Sequence, residues 1–182
     1  MRYASIRKMD ISDGPGIRVG LYMQGCKHHC KNCFNEETWD PNGGYPFTRQ
    51  EVDVIKGLLK SPHVRGLSVL GGDPFYWYDN IENIGQDNLY DLIYETKLDL
   101  HKDIWIWTGY TWETIFSNED YVLEMLILSL CDYVIDGEYI DDLKDYRLKL
   151  RGSSNQRIID VKKTLDSKTN DIKNYHKIVV IK

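Results

Sequence analysis

The sequence predicts an α/β fold, a partial, open βα barrel of the TIM type with about five to six parallel strands. Three observations carry this. Short apolar strands alternate with amphipathic helices, the pattern of βαβ units on a parallel sheet. Each strand ends in a polar or glycine-rich tripeptide, the place where parallel α/β folds hold their chemistry. The 182 residues fall short of the roughly 250 of a complete eightfold barrel, so one side should stay uncovered. There is no internal repeat, low-complexity tract or Pro/Ser-rich linker, so a single domain over residues 1–182 is expected.

Ile17 to Met23 is rich enough in alternating apolar residues to be a strand, and it runs into a loop bearing three cysteines. Asp40-Pro41-Asn42-Gly43-Gly44 is a turn cluster. Thr48-Arg49-Gln50-Glu51 then reads as a capping box opening a helix with Val52, Ile55, Leu58 and Leu59 on its apolar face. Gly66 to Leu70 is a strand that stops at Gly71-Gly72-Asp73-Pro74. The rhythm repeats. Leu89, Leu92, Ile93 and Thr96 share a helical face, and Ile104 to Trp107 is a strand ending in Thr108-Gly109. Tyr121 to Leu130 is a further helix, and Tyr133 to Ile135 a strand ending in Asp136-Gly137-Glu138. Arg157 to Val161 is the last strand. The strand ends and the cysteine loop should converge on one rim.

Composition narrows the function classes. Apolar residues make up 42% of the chain and charged residues 28%, the balance of a globular domain rather than a disordered one. No apolar run approaches the roughly 20 residues of a membrane span, and Met1 to Arg7 has no apolar signal region, so a cytoplasmic protein without a membrane partner is expected. A net charge of −5 argues against nucleic acid as a partner.

Cys26, Cys30 and Cys33 fall within eight residues, whereas the fourth cysteine, Cys131, stands alone. Such a cluster points to metal or redox chemistry rather than to a disulfide scaffold. Two occupants fit. Zinc closes with four ligands, the fourth being Cys131, His28, His29 or His63. A [4Fe–4S] cluster takes three thiolates and leaves its fourth iron open to a substrate.

Cys26-Lys27-His28-His29-Cys30-Lys31-Asn32-Cys33 resembles the CxxxCxxC signature of the radical S-adenosylmethionine superfamily, and Gly71-Gly72-Asp73-Pro74 is similar to its GGE motif. Asp13-Gly14-Pro15-Gly16-Ile17-Arg18 resembles the DGPG(I/T)R segment of glycyl-radical-enzyme activases. The shortness of the chain, Cys33-Phe34-Asn35 and Gly152-Ser153-Ser154-Asn155-Gln156-Arg157 narrow the resemblance to activases serving an anaerobic ribonucleoside-triphosphate reductase. It runs from about Tyr3 to Val161, with two departures: Asn32 stands where an aromatic often precedes the third cysteine, and Asp73 replaces the commoner Glu.

The resemblance implies a barrel of radical S-adenosylmethionine type in which Cys26, Cys30 and Cys33 ligate a [4Fe–4S] cluster. An electron from a low-potential donor such as flavodoxin cleaves S-adenosylmethionine to a 5′-deoxyadenosyl radical, which makes a glycyl radical on the large subunit of the reductase. Gly71, Gly72 and Asp73 would cradle the methionine moiety, so a branched residue at position 72 is expected to weaken cofactor binding and spare the cluster. Phe34 and Asn35 are the residues beside the third cysteine assigned to the cofactor, and Thr108 and Asp136 are assigned to its carboxylate or ribose.

Bland readings stand beside these. Trp105 and Trp107 read as core, Cys131 as a small buried hydrophobe, His28 and His29 as loop surface, and Glu138 to Asp145 as a solvated acidic face. Asn155-Gln156-Arg157 reads as an ordinary polar turn before the last strand, and the resemblance implies that it closes the cofactor end of the site or meets the reductase. Three other functions share parts of the pattern: an activase of pyruvate formate-lyase type, a small-molecule radical enzyme such as a deazaguanine synthase, and a non-catalytic zinc-binding module.

Overall fold

The structure is a computed structural model and describes residues 1–78, 88–166 and 178–181. Its strands are β1 (Arg2–Asp10), β2 (Ile17–Gln24), β3 (Tyr45–Pro46), β4 (Val64–Gly71), β5 (Asp103–Trp107), β6 (Tyr133–Asp136) and β7 (Arg157–Asp160). Its helices are α1 (Arg49–Leu59), α2 (Asn88–Leu98), α3 (Trp112–Phe116), α4 (Val122–Leu130) and α5 (Val161–Asp166). The strands form one open sheet in the order β3-β1-β2-β4-β5-β6-β7.

Among the described residues, β2, β4, β5 and β6 run parallel to one another, one or two strands fewer than expected. The physical reason lies in the connections. A parallel neighbour needs a long crossover, usually a helix, whereas a chain that turns back directly pairs antiparallel. Residues 137–156 carry only a 3-10 turn at Asp141–Leu143, so β7 returns antiparallel to β6. β1 pairs antiparallel with β2 through a short turn, and its charged residues Arg2, Arg7 and Lys8 hide it from an apolar search.

The outer face of the sheet carries the helices. Thr48 caps α1 with a complete capping box, and Val52, Ile55 and Leu59 are buried as the apolar spacing requires. They join Leu89, Leu92 and Ile93 of α2 and Leu123, Ile127 and Leu128 of α4 in one cluster with Val19, Leu21, Met23, Leu67, Val69, Ile104, Ile106 and Val134. Alternate residues of the same strands point the other way, where Trp105, Ile135 and Ile158 form a smaller cluster with Trp107, Tyr133, Leu150 and Ile181. Among the described residues no helix is long and apolar enough to cross a membrane.

Arg18 closes one end of that inner face. It is fully buried, donating from Nε to Ser68 Oγ at 2.6 Å, from a terminal nitrogen to Asp103 Oδ1 at 2.6 Å and from the other to the Leu67 carbonyl at 2.7 Å. At the opposite end, where the parallel strands finish, the wall stays open.

Candidate functional site

The cysteine loop leaves β2 at Gln24 and is stapled at its neck. Gly25 N–H donates to the Thr38 carbonyl at 2.8 Å, and Cys26 N–H to the Trp39 carbonyl at 3.3 Å. The Gln24 side chain reaches across to the carbonyls of Glu37 (3.2 Å) and Asp40 (2.8 Å). Between the cysteines the chain coils so tightly that His29 (φ 51°) and Asn32 (φ 57°) take left-handed conformations, which Asn tolerates better than most residues.

Cys26, Cys30 and Cys33 are each half-buried and line one pocket of roughly 440 Å³. Burial pushes the Cys26 thiol up to about 11 and raises Cys30 as well, so metal binding must supply the charge that draws their protons off. Cys131 is a core residue. Its Sγ donates to the Ile127 carbonyl at 3.3 Å within the helix-covered cluster, and burial raises its pKa.

Phe34, Asn35, Gly71, Gly72, Asp73 and Thr108 line the same pocket, as the sequence predicts for a rim built from strand ends. Their local roles differ. The Asn35 carbonyl accepts from Thr38 N–H (2.9 Å) and Thr38 Oγ1 (2.7 Å), shaping the turn that brings the loop back. The Phe34 ring is largely exposed, set edge-on to Tyr139 at 5.5 Å.

The glycine pair serves backbone packing against the cysteine loop. Gly72 N–H donates to the Met23 carbonyl and Asp73 N–H to the Gly25 carbonyl, both at 2.9 Å. A Cβ at Gly72 would lie 2.3 Å from the Gly25 oxygen, and Gly71 has a φ of +107°. A branched residue at position 72 would therefore shift the cysteine loop itself, which corrects the expectation that the cluster would be spared.

Asp73 is buried and already fully engaged. It accepts from Phe75 N–H (2.9 Å), Gly109 N–H (2.8 Å), Thr108 Oγ1 (3.1 Å) and His28 Nε2 (3.0 Å), about as many donors as a carboxylate takes. His28 is not loop surface. Its side chain is 9% exposed, its Nδ1 meets Glu138 Oε1 at 2.8 Å, and its ring packs edge-on to Tyr110 at 5.0 Å. Burial opposes its protonation, but the hydrogen bonds and charges of Asp73 and Glu138 outweigh that and raise its pKa. One imidazole thus ties the cysteine loop to the ends of β4, β5 and β6.

Asp136 ends β6 as expected but is not brought into the pocket. Its buried carboxylate accepts from Trp112 N–H at 2.8 Å and from the half-buried Arg157 Nε at 2.9 Å, on the helix side. The acidic stretch after it is no simple solvated face, because Tyr139 and Asp145 line the pocket and Glu138 holds His28.

Four further residues of the pocket wall were given no site role by sequence reasoning: Trp39, Tyr22, Asp13, which was quoted only within its motif, and Trp107, which was read as core. Trp107 Nε1 donates to the Leu150 carbonyl at 2.8 Å, and Tyr22 hydroxyl donates to Asp13. A signal was present for Trp107, the last residue of a strand that ends on the rim. Trp39 carried none.

Thiolates are soft ligands suited to iron, and three on one loop leave a site open at one position. Among the described residues no three His, Cys, Asp or Glu side chains are gathered tightly enough to hold a single metal ion. A cluster asks for wider spacing, since each thiolate binds a different iron. A second observation fits an acceptor-rich group: Trp39 Nε1 is buried with no acceptor among the described residues.

Comparison with known proteins agrees with this donor set. Residues 12–159 match the family model of a 4Fe-4S single cluster domain. The chain is 37% identical over 163 residues to the anaerobic ribonucleoside-triphosphate reductase-activating protein of Salmonella typhi, an alignment covering 86% of this chain and 96% of that one. The protein of that name from Escherichia coli strain K12 is 36% identical over 159 residues, covering 86% and 96%. The one from Enterobacteria phage T4 is 38% identical over 159 residues, covering 87% and 93%.

Proposed function

Since the chain belongs to the family of anaerobic ribonucleoside-triphosphate reductase-activating proteins and carries a 4Fe-4S domain, we propose that it is a radical S-adenosylmethionine activase of that reductase. The observation that carries the reading is the set of three half-buried thiols, Cys26, Cys30 and Cys33, lining one pocket at the carboxyl ends of parallel strands. These thiols would hold the [4Fe–4S] cluster. With an electron from a donor such as flavodoxin, the bound cluster would supply reductive cleavage of S-adenosylmethionine, and the deoxyadenosyl group would take a hydrogen atom from a glycine of the reductase.

The chain's own residues supply position and shelter. Gly71 and Gly72 let the end of β4 close against the cysteine loop, so that the pocket has a continuous backbone wall. Asp73 gathers Thr108, Gly109 and His28 and holds that wall in shape; with its oxygens taken, it serves the rim rather than offering a free carboxylate to an ammonium group. Phe34 at the mouth offers an exposed aromatic face to the adenine. We read the open sheet as a partial barrel of the radical S-adenosylmethionine type, whose uncovered side admits a polypeptide. A polypeptide loop seated there excludes water from the radical, which a small substrate would leave to the protein.

The test is anaerobic reconstitution followed by iron and sulfide counting, then electron paramagnetic resonance with the reductase. Iron and sulfide in the ratio of a [4Fe–4S] cluster, lost in Cys26→Ala, Cys30→Ala or Cys33→Ala and kept in Cys131→Ala, are expected, with a glycyl radical only when the reductase is present. Turnover on a free nucleotide or pterin with no radical on the reductase would overturn the assignment.

A further inference from the structure

Asn155-Gln156-Arg157 has no part in the chemistry above, yet each of its side chains is hydrogen-bonded. Gln156 Oε1 accepts from Gly152 N–H at 2.8 Å and Ser153 N–H at 3.2 Å, while its Nε2 donates to the Gly137 carbonyl at 3.0 Å. Asn155 Nδ2 donates to the Glu138 carbonyl at 2.8 Å. Arg157 holds Asp136 from Nε at 2.9 Å and Glu113 from its terminal nitrogens at 2.9 and 2.6 Å. Asn155 and Gln156 grip the connection between β6 and β7, at its start (Gly137, Glu138) and near its end (Gly152, Ser153), while Arg157 ties the strand ends to α3.

That connection lies against the cysteine loop and touches it in each interval between the ligands and again after the last. Between Cys26 and Cys30, His28 Nδ1 meets Glu138 Oε1 at 2.8 Å. Between Cys30 and Cys33, Asn32 Nδ2 donates to Asp141 Oδ2 at 2.7 Å. Just after Cys33, Phe34 packs on Tyr139 at 5.5 Å and lies beneath the Lys144 ammonium at 5.0 Å. The staples at Gly25 and Cys26 fasten only the neck of the loop.

We propose that Asn155 and Gln156 are positioning residues for the iron–sulfur cluster: they latch the β6–β7 connection over the cysteine loop, and through Glu138 and Asp141 they hold the three thiols at the spacing that retains it. The latch rests on the reading that Cys26, Cys30 and Cys33 are the ligands. It works as outer-sphere residues do at other metal sites, where they orient ligands without touching the metal.

The experiment uses the full chain, reconstituted anaerobically without S-adenosylmethionine. Gln156→Ala, Asn155→Ala and Asp141→Ala are compared with wild type for iron loss to a chelator, for the spectrum of the reduced cluster by electron paramagnetic resonance, and for thermal unfolding of the metal-free chain. Each variant is expected to lose iron roughly 10-fold faster and to show an altered spectrum. Gln156→Glu, which keeps the two acceptor bonds and loses the donor, should fall between. Asp141 is partly exposed and bonds Asn32 from the surface, so Asp141→Ala keeps the test open should Gln156→Ala fold poorly. Wild-type iron retention and spectrum in Asp141→Ala and in a folded Gln156→Ala would overturn the latch alone. A wild-type chain that takes up no cluster would overturn the ligand assignment and the latch with it.

Discussion

The two faces of the sheet are built from alternate residues of the same strands and are buried by different means. Val19, Leu21 and Met23 of β2 face the helices and join one large aliphatic and aromatic cluster, where regular spacing fills the layer. Arg18 and Tyr22, their immediate neighbours in the chain, are also buried, but loops cover them: Asp13 takes the Tyr22 hydroxyl, and Pro15 offers its carbonyl to Arg18. One face is thus closed by periodic elements and the other by irregular segments held through hydrogen bonds. The first carries stability and the second carries the site.

Ile106 and Arg18 test that division at its extremes. Ile106 is wholly buried on the helix face, so Ile106→Ala should cost about 4 kcal/mol in urea denaturation of the metal-free chain, from lost burial and an unfilled cavity. The reconstituted cluster should keep its spectrum. On the inner face, Arg18→Ala strands Ser68 and the Leu67 carbonyl and weakens the hold on Asp103, at about 3 kcal/mol. The loss stays at the low end for a broken buried pair because Asp103 is 20% exposed and retains Arg65 at 3.0 Å. Arg18→Met should recover part of it by refilling the space. An equal cost for Arg18→Met and Arg18→Ala would mean that charge, not packing, is what the inner face needs there.

The contrast also explains what was legible in the sequence. β2, β4, β5, β6, β7 and helices α1, α2 and α4 emerge from periodicity and a capping box, because burial against helices imposes a repeat. The cysteine loop and the Gly71-Gly72-Asp73 turn emerge from spacing, because chemistry imposes one. Neither rule reads a loop that covers a face, so His28 passed for surface and the segment after Asp136 for solvated charge. The burial of His28 depends on Glu138 meeting it across 110 positions of sequence, which no local pattern encodes. β1 escaped for a related reason: an edge-side strand with Arg2, Arg7 and Lys8 has charge where periodicity looks for apolar residues.

A smaller effect is expected at the turn that delivers Asp13 to the pocket. Asp10 Oδ1 accepts from Ser12 N–H (2.7 Å), Ser12 Oγ (2.8 Å) and Asp13 N–H (3.1 Å). Burial alone would raise the Asp10 pKa, but these bonds, with Arg7, outweigh it and hold the carboxyl below its ordinary value. A carboxylate with a lowered folded pKa adds stability above its unfolded pKa of about 3.9, and that contribution fades as pH falls through the folded value. Chemical denaturation between pH 6 and about 3 should therefore show a loss of stability on acidification that Asp10→Asn reduces. An unchanged acid slope in Asp10→Asn would place the effect on other carboxylates.

The smallest expected cost in stability falls at Trp39, where the division between the two faces is sharpest. Trp39 lines the pocket and stacks on His29 with ring centroids 4.6 Å apart, yet its Nε1 is buried without an acceptor among the described residues. A buried donor left unpaired costs about 1–3 kcal/mol, so the metal-free chain gains nothing from this N–H. Trp39→Phe keeps an aromatic ring on His29 and removes the donor, and the metal-free chain should unfold near the wild-type midpoint. The reconstituted chain should respond differently. A hydrogen bond to a cluster sulfur favours the reduced, more negative form, and its removal lowers the reduction potential. Potentiometry of wild type and Trp39→Phe without S-adenosylmethionine should therefore show the variant harder to reduce at unchanged iron content. An equal potential would mean that the N–H serves no cluster sulfur, and the inner face would then hold a donor awaiting some other ligand.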